Sequence, residues 1–228
     1  MPDNYARGSV IQVGEGGGRG FFVEAGGEPY VVTAAHCVEK PPEPHACNGV
    51  NELVYPNFLG FMGGPRNIWA ECVFIDPVAD VAVFGEPDPQ ALWEHAEAFQ
   101  EFAEQAGFFS LGRLRLRREK FRLSDGSKHI GNLKFSGRGE MFSLDGQWFS
   151  CHVESYGWTF ISIPKATQPI LGGMSGSPVV LPSGLAIGVI SSSQGNISLI
   201  EEGRIDGAGA YLYSALPARL ARAVTWST

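Results

Sequence analysis

Between Ser9 and Val38 the chain alternates short apolar runs with glycine-rich breaks. Val10, Ile11 and Val13 lead to the stretch Gly14-Glu15-Gly16-Gly17-Gly18-Arg19-Gly20. Phe21-Phe22-Val23 follows, then Gly26-Gly27, then Tyr30-Val31-Val32-Thr33-Ala34-Ala35 running into His36. β-Branched and aromatic residues favour strands and clustered glycines favour turns, so three strands are predicted here. Pro41, Pro42 and Pro44 lack the backbone N–H that a ladder needs and predict a loop. Further strands are predicted at Glu52–Tyr55, Trp69–Phe74 and Asp80–Phe84.

From Asp88 to Gly107 the period changes. Leu92, Trp93, Ala96, Phe99, Phe102 and Ala103 recur at helical spacing, which predicts a helical connector with Trp93, Phe99 and Phe102 in the core. Short strands return beyond it. The alternating run Arg113-Leu114-Arg115-Leu116-Arg117 comes first, then Phe121–Leu123, Gly131–Phe135, Trp148–Val153, Thr159–Ile163, Ser177–Leu181, Leu185–Ser191 and Ala210–Tyr213. Asp125-Gly126 and Asp145-Gly146 are hairpin-type turns. A closing helix is predicted over Leu216–Trp226. The reading is therefore all-β. Its boundary lies in the connector, giving units 1–105 and 106–228.

The bulk figures fit this reading. The chain has 228 residues, long enough for one large all-β domain or two small ones, and 30 glycines serve many tight turns. A net charge of −7 argues against a nucleic-acid partner, which would call for a basic excess. No apolar run reaches the ~18–20 residues of a membrane helix. The opening Met1-Pro2-Asp3-Asn4-Tyr5-Ala6-Arg7 lacks the basic-then-apolar pattern of an export signal, so a cytoplasmic location is expected. The cysteines at 37, 47, 72 and 151 have no C-x-x-C spacing. Free thiols are expected, and neither a metal nor a cofactor.

Three local patterns carry chemistry. In Val32-Thr33-Ala34-Ala35-His36-Cys37, small residues let the backbone pack closely beneath an imidazole. In Asp76-Pro77-Val78-Ala79-Asp80-Val81-Ala82-Val83-Phe84, an aspartate heads a buried strand, where a carboxylate needs hydrogen-bond partners. In Leu171-Gly172-Gly173-Met174-Ser175-Gly176-Ser177-Pro178, flanking glycines permit a tight turn that exposes a hydroxyl and gathers backbone N–H groups. Asp76 rivals Asp80 as the functional carboxylate, but Pro77 makes it look like a turn residue.

Together these segments resemble the chymotrypsin/trypsin-like serine proteases, including bacterial members of the HtrA kind. The histidine motif stands at 33–37, the aspartate motif at 80–84 and the nucleophile motif at 173–178, in the order His, Asp, Ser. The resemblance spans about residues 8–224. It implies two six-stranded antiparallel β-barrels with a helical connector and a C-terminal helix, His36 and Asp80 lying in the first barrel and Ser175 in the second. It implies a serine endopeptidase acting on a protein or peptide substrate. Ser175 would be nucleophile, His36 general base and Asp80 its orienting partner, with the N–H groups of Gly173 and Ser175 as oxyanion hole.

The substrate pocket implied by the resemblance comprises Pro169, Ile170, Leu171, Ser191, Ser192 and Ser193. It carries no charge at its base, which points to a small or apolar residue before the scissile bond, although Glu201, Glu202 and Asp206 lie on a loop that could reach it. The chain also departs from the family pattern. Met174 stands where digestive members carry the aspartate that pairs with a new N-terminus, and Cys37 has no cysteine upstream with which to pair. Activation by a protein partner is left open by these departures, as is a latent fold kept as a partner-regulated binding module.

Other features are weaker. Gly14–Gly20 is followed by strand-like Phe21-Phe22-Val23 and so reads as a turn, not a dinucleotide loop. Arg113, Arg115, Arg117, Arg118, Lys120 and Arg122 read as a solvated edge strand. His45, His95, His129 and His152 have no ligand spacing among themselves.

Overall fold

The structure is a computed structural model. It describes residues 10–38, 53–122, 124, 128–156, 160–194, 206–221 and 225–226. The first half holds six strands: β1 (Val10–Val13), β2 (Gly18–Ala25), β3 (Glu28–Thr33), β4 (Val54–Phe61), β5 (Arg66–Asp76) and β6 (Val81–Gly85). Antiparallel pairing runs β1–β2–β3–β6–β5–β4 and returns to β1, so the sheet closes into a six-stranded barrel. Closure leaves these strands no open edge.

Strand periodicity sorts the side chains of this barrel onto two faces. Ile11, Val13, Phe22, Val31, Leu59 and Phe84 fill one core. The predicted connector is α1 (Trp93–Ala106), and it caps that core with Phe99 and Phe102. Both rings meet Phe22 edge-on, at centroid distances of 5.5 and 5.7 Å, and Phe22 is fully buried. A buried phenylalanine of this kind contributes about 1.5–3 kcal/mol. Trp93 departs from expectation. It stands at the first turn of the helix, 62% exposed, off the face that meets the barrel.

The opposite face of the barrel strands presents Phe21, Val23, Val32, Val81 and Val83. These pack with Phe109, Leu111, Val180, Ala186 and Val189 from the second half. That half holds β7 (Phe108–Arg113), β8 (Arg117–Arg122), β9 (Lys128–Phe142), β10 (Trp148–Tyr156), β11 (Phe160–Ala166), β12 (Pro178–Val180), β13 (Leu185–Gln194) and β14 (Asp206–Tyr211). Pairing runs β9–β10–β11–β14–β13–β12 and returns to β9 through the single pair Val180↔Glu140. A third core of Met141, Val153, Ile161, Ile163, Val179, Ile187 and Tyr211 lies within it. Strand β7 runs parallel to both β2 and β13 and joins the halves. The all-β expectation holds.

Two local expectations fail for identifiable reasons. The alternating run 113–117 is not one strand. β7 stops at Arg113, Leu114 turns inward, and its N–H donates to the Tyr211 hydroxyl at 2.7 Å. β8 then starts at Arg117 and pairs only with β9 among the described residues, which makes it an edge; it carries Arg117, Arg118, Lys120 and Arg122 of the basic stripe, while Arg113 ends β7 and Arg115 lies between the two strands. The C-terminal helix is shorter than Leu216–Trp226. Helical turns α2 (Leu212–Ala215) and α3 (Ala218–Ala221) flank Pro217, and Thr225–Trp226 forms β15, parallel to β7. Pro217 cannot continue α2, because its ring removes an N–H donor. Among the described residues no helix is long and apolar enough to cross a membrane.

Candidate active site

Antiparallel pairing of β3 and β6 builds the first part of the site. Thr33 pairs with Ala82, so the end of β3 lies beside the start of β6. The chain leaves β3 through buried Ala34 and Ala35 into a single 3-10 turn, Ala35–Cys37. His36 thereby projects outward with its side chain 47% exposed. Asp80 enters β6 with φ +54°, a left-handed conformation that costs a non-glycine residue about 1–3 kcal/mol.

Asp80 is held by its partners. Its Oδ1 accepts the His36 backbone N–H at 2.9 Å, and its Oδ2 lies 2.7 Å from His36 Nδ1. Ser191 Oγ donates to the same Oδ2 at 2.6 Å. A carboxylate 21% exposed is thus bound through two donors on His36 and one on β13. Asp76 does something else. Its Oδ1 accepts the N–H groups of Val78 and Ala79, at 2.9 and 3.0 Å, and closes its own turn. Of the two aspartates, Asp80 is the one that meets His36.

Ser175 lies in the turn between β11 and β12. Gly173 and Gly176 both take left-handed conformations, φ +85° and +84°. At Gly176 the need for glycine is absolute: a Cβ there would lie 1.7 Å from the Arg19 carbonyl oxygen and 2.6 Å from Thr33 Oγ1. The turn is built from main-chain bonds. Met174 N–H donates to Leu171 O, Ser177 N–H to Met174 O, Gly176 N–H to Ile190 O, and Ile190 N–H to Ser177 O. The Ser175 carbonyl accepts the Arg19 N–H from β2 at 2.9 Å. Met174 plunges into the third core at 1% exposure, so an apolar anchor holds the turn where the resemblance would place a salt bridge.

His36 and Ser175 line one cavity of about 220 Å³, together with Gly16, Gly17, Gly18, Cys37 and Gly173. The N–H groups of Gly173 and Ser175 donate to no protein acceptor among the described residues. Gly14–Gly17 is a turn with no helix after it, as expected, but β2 begins at Gly18, within the stretch expected to turn as far as Gly20. Gly18 must lack a side chain because a Cβ would fall 2.6 Å from Cys37 Cβ. The three described cysteines are free and buried. Burial raises the Cys37 thiol pKa, opposed by hydrogen bonds from Thr33 and Arg19. It pushes Cys72 to about 11 and Cys151 to about 12. None of the three is a ready nucleophile. Cys47 lies outside the described residues. Among the described residues no three metal-ligating side chains cluster.

The expected pocket residues scatter. Pro169 and Leu171 are exposed, whereas Ile170 is buried in the third core. Its Cδ1 lies 2.4 Å from where a Gly207 Cβ would be, so Ile170 occupies the space that this glycine leaves free. Ser191 turns its hydroxyl to Asp80. Ser192 and Ser193 pair through their backbones with Ala208 and Gly207, and their side chains lie outside the described residues. Glu201, Glu202 and the Asp206 side chain lie outside them too. Sequence reasoning did not single out the role of Ser191 or of Arg19. An arginine set between two glycines at the head of an apolar strand was the available signal for the latter.

Solved structures resemble the chain over most of its length. The MamO protease domain from Magnetospirillum magneticum is 14% identical, with 94% of this chain and 98% of that one covered and a TM-score of 0.47. A glutamic-acid-specific serine protease that uses a histidine triad in substrate binding is 16% identical, with 92% and 94% covered and a TM-score of 0.48. The Rv3671c protease in its inactive form is 15% identical, with 90% and 84% covered and a TM-score of 0.41. No curated protein matches. The trypsin-like peptidase domain matches residues 18–189, a span from the first glycine of β2 to the middle of β13 that takes in His36, Asp80 and Ser175, and the chain belongs to that family.

Proposed function

We propose that the protein is a serine endopeptidase in which His36, Asp80 and Ser175 form the catalytic triad. The observation that carries this reading is the double engagement of Asp80 with His36 beside a cavity shared with Ser175. With Nδ1–H donated to Asp80, the imidazole presents Nε2 as the base. Nε2 takes the Ser175 Oγ proton as Oγ bonds to the scissile carbonyl carbon, and the carbonyl π pair moves to oxygen. Asp80 stabilises the imidazolium so formed. The N–H groups of Gly173 and Ser175, which have no protein acceptor among the described residues, are the donors for the oxyanion. The oxyanion collapses, the C–N bond breaks, and Nε2–H protonates the departing amine. Water, deprotonated by the same nitrogen, then releases the acyl group from Ser175.

The substrate is a protein or peptide, and Ile170 filling the space beside Gly207 favours a small residue before the scissile bond. Met174 anchors the nucleophile turn through the core, which supports a site that needs no new N-terminus to assemble; control by an activating partner is compatible with this. Division into units 1–105 and 106–228 fits the same reading, His36 and Asp80 coming from the first and Ser175 from the second. Three buried free thiols suit a reducing, cytoplasmic setting.

Fluorophosphonate labelling tests the proposal. Wild type is expected to label, and Ser175→Ala and His36→Ala are not. A well-folded wild type that takes no label would make the fold a binding module.

A further inference from the structure

Arg19 is 2% exposed, yet no carboxylate pairs with it among the described residues. A buried guanidinium is costly unless its donors are used. Here the donors that are engaged meet main-chain carbonyls. Its Nη1 donates to Phe142 O at 3.1 Å and to Ser143 O at 2.9 Å, and its Cζ lies 5.6 Å from the centre of the Phe142 ring. Burial lowers its pKa but leaves an arginine charged.

The position of those carbonyls matters. Arg19 sits on β2, in the first barrel, while Phe142 and Ser143 end β9 in the second half and open the hairpin to β10. That hairpin is closed by Ser143, whose N–H donates to Gln147 O at 2.9 Å and whose hydroxyl exchanges bonds with the Gln147 backbone. Its tip residue Leu144 lies 3.5 Å from where a Gly173 Cβ would be. The main chain of Arg19 reaches the site from the other side. Its N–H donates to Ser175 O at 2.9 Å, its carbonyl fills the space that Gly176 leaves open, and Thr33 Oγ1 donates to that carbonyl at 2.6 Å. One residue thus touches the strand that leads to His36, the turn that carries Ser175, and the hairpin that rests on Gly173.

We infer that Arg19 is a positioning residue: its side chain fastens the Phe142–Ser143 hairpin to the nucleophile turn and so fixes Gly173 and Ser175 for oxyanion binding. This rests on the serine peptidase reading of the site. Methionine, neutral and unbranched, would fill most of the volume and keep the backbone contacts while losing both carbonyl bonds. Lysine would keep the charge and one donor at a time.

The test measures wild type, Arg19→Met and Arg19→Lys by fluorophosphonate labelling rate and by amide exchange in peptides covering 140–148 and 170–177. Arg19→Met is expected to label at least tenfold more slowly, with exchange accelerated in both peptides and not in the β3–β6 region. Arg19→Lys is expected to recover part of both. Wild-type labelling and wild-type local exchange in a folded Arg19→Met would overturn the inference, as would a uniform rise in exchange with an unchanged labelling rate. If Arg19→Met does not fold, Arg19→Lys decides by the same two readouts. If wild type itself takes no label, the peptidase reading fails, and exchange in the two peptides still decides what Arg19 fastens.

Discussion

The two sides of the cavity are held together by different means. His36 and Asp80 meet through side chains: a carboxylate takes one backbone N–H, one ring nitrogen and the Ser191 hydroxyl. The Ser175 turn is held by main chain against main chain, and two glycines admit backbone where a Cβ would collide or strain. Side-chain contacts can be lost one at a time, each at its own cost. A main-chain turn that leaves 1.7 Å for a Cβ has no intermediate state. The first side should therefore respond to substitution in steps, and the glycines of the second all at once.

Substitutions ranked by expected effect sharpen that contrast. Gly176→Ala should be the most damaging, since a left-handed alanine costs about 1–3 kcal/mol before any clash with Arg19 O is relieved. Labelling should vanish and thermal melting should fall together. A folded Gly176→Ala that labels normally would refute the close approach. Asp80→Asn keeps the volume but replaces an acceptor with an amide and removes the charge facing His36. Labelling rate should drop by about a hundredfold or more, within the range for a disabled general base. Ser191→Ala removes one of three donors to Asp80, a bond to a charged group worth about 1.5–3 kcal/mol. With two donors remaining, a loss near tenfold in rate is expected, together with a fall of several degrees in melting temperature. Asp76→Ala should cost about 0.5–1.5 kcal/mol of stability by opening its turn, and should leave the labelling rate of folded protein near wild type. If Asp76→Ala and Asp80→Asn impaired labelling equally, the assignment of the two aspartates would be wrong.

The motifs were legible because each has a local cause. Small residues before His36, an aspartate at the head of an apolar strand, and glycines around Ser175 all announce backbone geometry. The strands were legible where β-branched and aromatic runs met glycine breaks, as at Phe21-Phe22-Val23 and Tyr30–Thr33. What escaped depends on distant partners. The run 113–117 alternates well, but Leu114 is claimed by Tyr211, nearly a hundred residues away in sequence. Trp93 shares the helical run with Phe99, yet at the first turn of the helix it is His95, stacked on Trp69 of β5, and Ala96 that meet the barrel, and Trp93 is left exposed. Ser191 looked like one of three equivalent serines until β13 crossed to Asp80. Arg19 looked like part of a glycine turn, because nothing in the sequence shows that its carbonyl acceptors wait at the end of β9 and the start of the next hairpin.

The most direct test of an activated Ser175 is to trap its acyl-enzyme. Purified wild type and His36→Ala would each be mixed with an activated ester, quenched, and read by intact mass and peptide mapping. A single acyl group on the peptide carrying Ser175, formed in wild type far faster than in His36→Ala, is the predicted result. Acylation elsewhere, or acylation of Ser175 at the same rate in both proteins, would contradict a hydroxyl activated by His36.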